Sequence, residues 1–333
     1  MTEKAVNNLS QAVLHRAAPL MFLVVLAVFS LLSPRFLAAN NFLNILIQSA
    51  STAIVATGMT FVLLTAGIDL SVGSVMFVSA AVAGKMALGG QPLWLACAAI
   101  LLTGMLSGAF NALCITWLRI VPFIVTLATL YFGRGLGLWL TETRAMNLPE
   151  SILRIGSARI AGIPFPVLML VLVVITAHIV LTRTSFGRQI YAMGNEADAA
   201  RKAGIRTGRI QFAVYVISGF CAALGGLVSI AQLGAVSPSF GNQREFAAIA
   251  AAVLGGVSLF GGRGAVLPGT LLGALLIQTI ENGLVIANAD PYLYPLVMSA
   301  IIFLAVLLDS LRNKQLRRSQ RRIIRPLPKT LHG

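Results

Sequence analysis

Ten long apolar stretches follow one another along this chain, near residues 17–33, 42–66, 71–88, 93–118, 120–140, 163–182, 210–232, 246–260, 264–287 and 292–309. Coiled as a helix, about 20 apolar residues cross the ~30 Å hydrocarbon layer of a bilayer. A backbone surrounded by lipid has to hydrogen-bond within itself, so ten such stretches predict an all-α polytopic membrane protein with about ten transmembrane helices. Only 11% of the residues are charged, against roughly a quarter in soluble domains, which excludes a water-exposed globule of this size. Two stretches, 71–88 and 246–260, are short and follow polar, glycine-containing interruptions. The organisation expected is a single transmembrane domain over 1–311 and a basic tail over 312–333.

The net charge of +15 would suggest nucleic acid as the partner of a soluble chain, but its distribution points to a lipid bilayer instead. Six of the 25 Lys and Arg lie between Thr182 and Gln211, and eight between Arg312 and Lys329. Such clusters mark cytoplasmic segments. An even number of spans puts both termini on one side. If that side is the cytoplasm, 18 Lys and Arg face inward, Lys4, Arg16, Arg119 and Arg263 among them. Six face outward (Arg35, Lys85, Arg144, Arg154, Arg159 and Arg244), and Arg134 lies inside a span. Ala17–Ser33 reads as a retained first helix rather than a cleaved leader, because SPRFLAANN and another long span follow it. The largest outer loop, 141–162, is a candidate docking or gating surface. Cys97, Cys114 and Cys221 lie in apolar segments and the three histidines are scattered, so no metal and no cofactor is expected.

An internal repeat is faintly legible. GMLSGAF begins at Gly104 and GTLLGAL at Gly269, both with small residues four apart, at an offset of 165. The same offset carries 42 to 207 and 71 to 236. Five intervening helices reverse direction, so spans 2–5 and 7–10 would be inverted repeats, as transporters commonly are.

The polar segment 182–211 predicts a short helix with signals at both ends. Asn195 is placed to cap it, Glu196 and Asp198 sit in its first turn, Arg201 and Lys202 in its last, and Gly204 supplies a left-handed stop. Asp198 and Lys202 are spaced as a favourable i,i+4 pair. Roughly nine residues give a helix about 13 Å long, too short to stand alone in water. It calls for a partner surface.

Two motifs carry polar groups at the ends of spans. In GMTFVLLTAGIDLSVGSV (Gly58–Val75), either Asp69 or Ser71 would cap the helix starting near Val72, or take a direct part in gating or substrate contact. In REFAAIAAAVLGGVSLFGGRGAVLPGTLLGA (Arg244–Ala274), the glycines permit close helix contact, and Gly261–Gly264 form a turn assigned to the cytoplasmic face. No GxxxxGK[ST] occurs, so any energy supply through a phosphate loop belongs to another subunit. Glu245 and Glu281 read first as packing or capping residues. Asn111, Thr126, Thr129, Gln278 and Asn282 are polar groups within spans, either lining a path or bonding helix to helix.

The runs GMTFVLLTAGIDLSVGSV, YAMGNEADAARKAGI and AIAAAVLGGVSLFGGRG, in that order, resemble the ribose-type permeases of bacterial ATP-binding-cassette sugar importers, in the branched-chain amino acid/sugar permease superfamily. The resemblance covers essentially the whole chain. It implies a non-enzymatic subunit of the bacterial inner membrane that pairs with a second permease, an identical copy or a sister chain, receives sugar from a periplasmic binding protein, and is driven by cytoplasmic ATPase subunits. It also carries a role in docking the ATPase onto Gly194, Asn195, Ala199, Ala200, Gly204 and Ile205, which share the loop with Glu196, Asp198 and Arg201. Two departures stand out: Met193 where a second glycine is usual, and Ala247 where an acidic residue often follows Glu245–Phe246. The competing reading is a stand-alone carrier driven by an ion gradient, for which only Asp69, Glu245 and Glu281 are available as intramembrane acids. A membrane enzyme would need convergent nucleophile, base or metal groups, and none is found.

Overall fold

A computed structural model describes residues 17–290 and 292–321; Lys4, Arg16 and the tail beyond Arg321 lie outside them. A helix occupies each of the ten apolar stretches. In chain order the helices are α1 (Ala17–Leu32), α2 (Ala39–Leu64), α3 (Val72–Leu88), α4 (Leu93–Thr116), α5 (Pro122–Thr141), α6 (Glu150–Ser157), α7 (Phe165–Arg183), α8 (Ser185–Asn195), α9 (Ala197–Lys202), α10 (Thr207–Leu233), α11 (Arg244–Leu254), α12 (Leu271–Ile286) and α13 (Leu293–Arg321). A one-turn π segment, Val266–Thr270, leads into α12. Among the described residues, six helices are long and apolar enough to cross a membrane: α2, α4, α5, α7, α10, and α12 with its π turn. The chain is a multi-pass membrane protein.

The stretch 246–260 is not a full span. Its helix, α11, has 11 residues, about 16 Å, and stops at Leu254 because Gly255 and Gly256 follow, the latter in the left-handed region at φ 91°. The last helix runs on through Arg321, past the expected boundary at 311.

The centre of the molecule is the antiparallel pair α2 and α10, both mostly buried, as helices apolar on most sides should be. α4 and α5 instead turn Phe110, Trp117, Phe132 and Trp139 outward. The remaining contacts fall into matching sets. α2 packs on α11 and α12, and α10 packs on α3 and α4. Likewise α3 meets α4 and α5, while α11 meets α12 and α13. Ala39 and Thr207, which begin α2 and α10, are 168 residues apart, and Val72 and Arg244, which begin α3 and α11, are 172 apart.

At one end of the bundle two short antiparallel ladders form. β1 (Met146–Asn147) pairs with β4 (Ala235–Val236), and β2 (Arg159–Ile160) pairs with β3 (Ile163–Pro164). The amphipathic α6 lies between these ladders in the chain, buries Ile152 and packs Gly156 against Ala231 at the end of α10. At the opposite end α8 covers the C-terminus of α2 and the turn that follows α11, and α9 packs beside it on α8 and α10.

Candidate functional site

Both interrupted helices start inside the bundle rather than at its surface. After α2 ends at Leu64, residues 65–71 turn back inward before α3 begins; after β4, residues 237–243 do the same before α11. The two turns meet at Gly73 and Gly241.

The first polar cluster is built on the 65–71 turn. The Asp69 carboxylate accepts from the Ser71 backbone N–H (3.0 Å) and hydroxyl (2.6 Å) through Oδ1, and from the Ser218 hydroxyl (2.7 Å) through Oδ2. Asn111 Nδ2 donates to Ser71 Oγ at 2.9 Å, and Thr129 donates to Asn111 Oδ1 at 2.6 Å. Thr126 and Tyr215 both donate to the Ile68 carbonyl at 3.3 Å. Asp69, Ser71, Asn111 and Thr126 are all buried, and among the described residues no cation forms an ion pair with Asp69. Four residues picked from the sequence, with Thr129, therefore converge. Ser218 and Tyr215 come from α10, far along the chain, and no local pattern marks them. The capping expectation needs correction: Ser71 is the N-cap of α3 but makes no side-chain cap bond, and Asp69 holds the turn just ahead of the helix.

The second polar cluster surrounds the start of α11. Arg244 Nη1 donates to Thr52 at 2.9 Å, the Tyr294 hydroxyl donates to Glu281, and Gln278 Nε2 donates to Gln48 at 3.2 Å. Asn282 Oδ1 is buried with no hydrogen-bond partner among the described residues. Gln278 and Asn282 thus sit apart from the Asp69 cluster, on α12.

Between the clusters lie two charged groups. Arg134 donates from Nη1 to the Phe240 carbonyl at 2.5 Å and stands 5.7 Å from the Phe77 ring centroid. Its Nη2 and Glu245 Oε2 are both buried and unbonded among the described residues, and a Cβ on Gly73 would fall against both. Burial, not N-terminal capping alone, is what distinguishes Glu245.

The polar segment 182–211 differs from its sequence reading. It holds two helices, not one. Asn195 closes α8 rather than capping the next helix; Glu196, with extended backbone, stands at the N-cap of the six-residue α9. Thr184 caps α8 by accepting from Gly187 N–H at 3.2 Å. Asp198 pairs with Arg201, one turn away, rather than with Lys202. Gly204 does end α9 in the left-handed region, at φ 85°, and Ile205 N–H returns to the Ala200 carbonyl at 3.0 Å. Gly194 and Ala200 are buried, whereas Asn195, Glu196, Asp198, Ala199, Arg201 and Gly204 are exposed.

The buried side of this pair has a defined seat. Any Cβ on Gly194 would collide with the Leu64 carbonyl, which also accepts from Gly262 N–H at 2.9 Å. Tyr191 donates to the Gly264 carbonyl at 2.8 Å, and burial pushes its phenol above the ordinary range. Gly261–Gly264 therefore form the turn expected, clamped between α8 and the end of α2.

A family profile described as branched-chain amino acid transport system / permease component matches residues 41–307. The chain is 37% identical over 293 residues to a ribose import permease protein of Haemophilus influenzae, covering 86% of this chain and 90% of that one. It is 38% identical over 294 residues to a D-allose transport system permease protein of Escherichia coli, covering 87% and 90%. A xylose transport system permease protein of Escherichia coli is 33% identical over 343 residues, covering 84% and 87%. No solved structure matches the chain.

Proposed function

The chain belongs to the branched-chain amino acid transport system / permease component family, and we propose that it is the membrane subunit of a bacterial ATP-binding-cassette importer that passes a small sugar from a periplasmic binding protein into the cytoplasm. It is a permease subunit, not an enzyme. The sugar class follows from relatives named for ribose, allose and xylose, a pentose or hexose of similar size. In this reading the chain crosses the membrane ten times, with α11 a broken span completed by the segments that flank it, and both termini lie in the cytoplasm of an inner-membrane protein. α2–α5 and α10–α13 are inverted repeats, and the outward apolar faces of α4 and α5 meet lipid or a second permease copy.

One observation carries the coupling role. The exposed charged face of α9 and the buried face of α8 belong to one corner, and α8 rests there on Leu64 and Gly262. Leu64 begins the turn that holds Asp69. A partner that grips α9 differently in two nucleotide states would bias the broken helices, as any driven conformational change requires. The chain has no phosphate loop, so the ATPase is a separate subunit.

The test is reconstitution into proteoliposomes with a partner ATPase and binding protein, following labelled D-ribose, D-xylose and D-allose. Uptake should require ATP and both partners. Uptake that persists without the ATPase and follows an ion gradient would favour the stand-alone carrier.

A further inference from the structure

The two polar clusters occupy corresponding places in the two halves. Each sits at the inward start of a short helix, α3 or α11; Asn111 of α4 bonds into the first, whereas Asn282 of α12, next to Glu281, keeps its buried Oδ1 unbonded among the described residues. They differ in what they face. In the first, the polar atoms of Asp69, Ser71 and Asn111 are spent on one another and buried. The second opens. Arg244 and Tyr294 line both of two cavities, of about 610 and 390 Å³, and Glu281 lines the smaller.

We infer that the edge formed by Arg244, Glu281 and Tyr294 is a contact site for a neutral polyhydroxylated molecule in transit, an inference that rests on the sugar-import reading. The chemistry is matched to hydroxyl groups, which both donate and accept. The guanidinium only donates, the carboxylate only accepts, and the phenol does both. An anion would meet Glu281 and a cation Arg244, whereas an uncharged polyol satisfies both without burying net charge. Tyr294 and the exposed Phe246 supply ring faces for the carbon skeleton. The volumes lie in the range of small-molecule sites, about 300–1,000 Å³. Arg244 is tied to Thr52 on α2, and Tyr294 joins α13 to α12 through Glu281, so a molecule replacing those bonds would also loosen the contacts between helices.

The experiment compares wild type with Glu281→Gln and Tyr294→Phe in the full assembly in proteoliposomes. Two rates are read side by side: uptake of labelled D-ribose, D-xylose and D-allose, and ATP hydrolysis stimulated by the binding protein. Glu281→Gln should slow uptake about tenfold or more, as loss of a hydrogen bond to a charged group implies, with stimulated hydrolysis held within about twofold. Tyr294→Phe keeps the ring and should lower uptake by a smaller factor. Uptake unchanged in both variants, or uptake and hydrolysis falling together, would overturn the site while leaving the importer reading intact. Wild type that moves none of the three sugars, while its ATPase responds to the binding protein, would overturn the sugar assignment and this inference with it.

Discussion

Gly73 and Gly241 meet backbone to backbone: a Cβ on either one would strike the carbonyl oxygen of the other. Gly73 lies in the first turn of α3 and Gly241 three residues before α11, so the starts of the two short helices meet here. The positive ends of two helix dipoles therefore approach one another in the interior, beside Glu245.

Gly73→Ala and Gly241→Ala should each lower the melting temperature in detergent. At each position the partner's carbonyl oxygen is backbone and cannot swing aside, so overpacking of about 1–3 kcal/mol is expected, with added strain at Gly241, whose φ is 72°. Gly135→Ala is the control: nothing lies near its Cβ position, and inside α5 it should be neutral or stabilising by up to about 1 kcal/mol.

Asp69→Ala should destabilise more than Ser218→Ala. The first leaves three buried donors without an acceptor, the second removes one hydroxyl and leaves Asp69 two of its bonds. Each stranded buried donor costs about 1–3 kcal/mol. Thermal unfolding of the two variants reads the difference, and equal losses would show that Asp69 is not the hub of this cluster.

Asp198→Lys should abolish ATP-dependent uptake with the melting temperature unchanged. The Asp198–Arg201 pair is exposed on both sides, and such pairs contribute about 0–1 kcal/mol. Normal uptake by the variant would remove α9 from the coupling surface.

Tyr191→Phe should cost about 1 kcal/mol at neutral pH through the lost bond to Gly264. Burial raises the folded-state pKa of this phenol above its unfolded value, so the contribution is complete below the unfolded value, about 10, and is lost as pH rises through the folded one. The stability gap between wild type and variant should narrow in alkali, measured by thermal unfolding from pH 8 upward.

What the sequence made legible was local. The apolar stretches, the Gly204 stop and the polar residues of the Asp69 cluster each follow from neighbours within a few positions. Asn195 misled because N-cap chemistry was judged without α8, which runs on through Asn195 with Gly194 packed close against the Leu64 carbonyl. Ser218 could not be paired with Asp69 from the sequence, since 149 positions separate them. The cluster around Arg244 was split between an outward charge, a packing acid and an unremarked tyrosine, because only the packing of α2, α11, α12 and α13 brings them together.

The Leu64 carbonyl, shared by Gly262 and pressed by Gly194, has a mechanical consequence. Five peptide units separate it from Asp69, a leash of at most about 18 Å even when fully drawn out. Its near end is anchored at the corner of α8 and its far end is tied by three hydrogen bonds. A displacement of that corner would reach the buried carboxylate through this short tether, and the bond to Ser218 ties the carboxylate to α10.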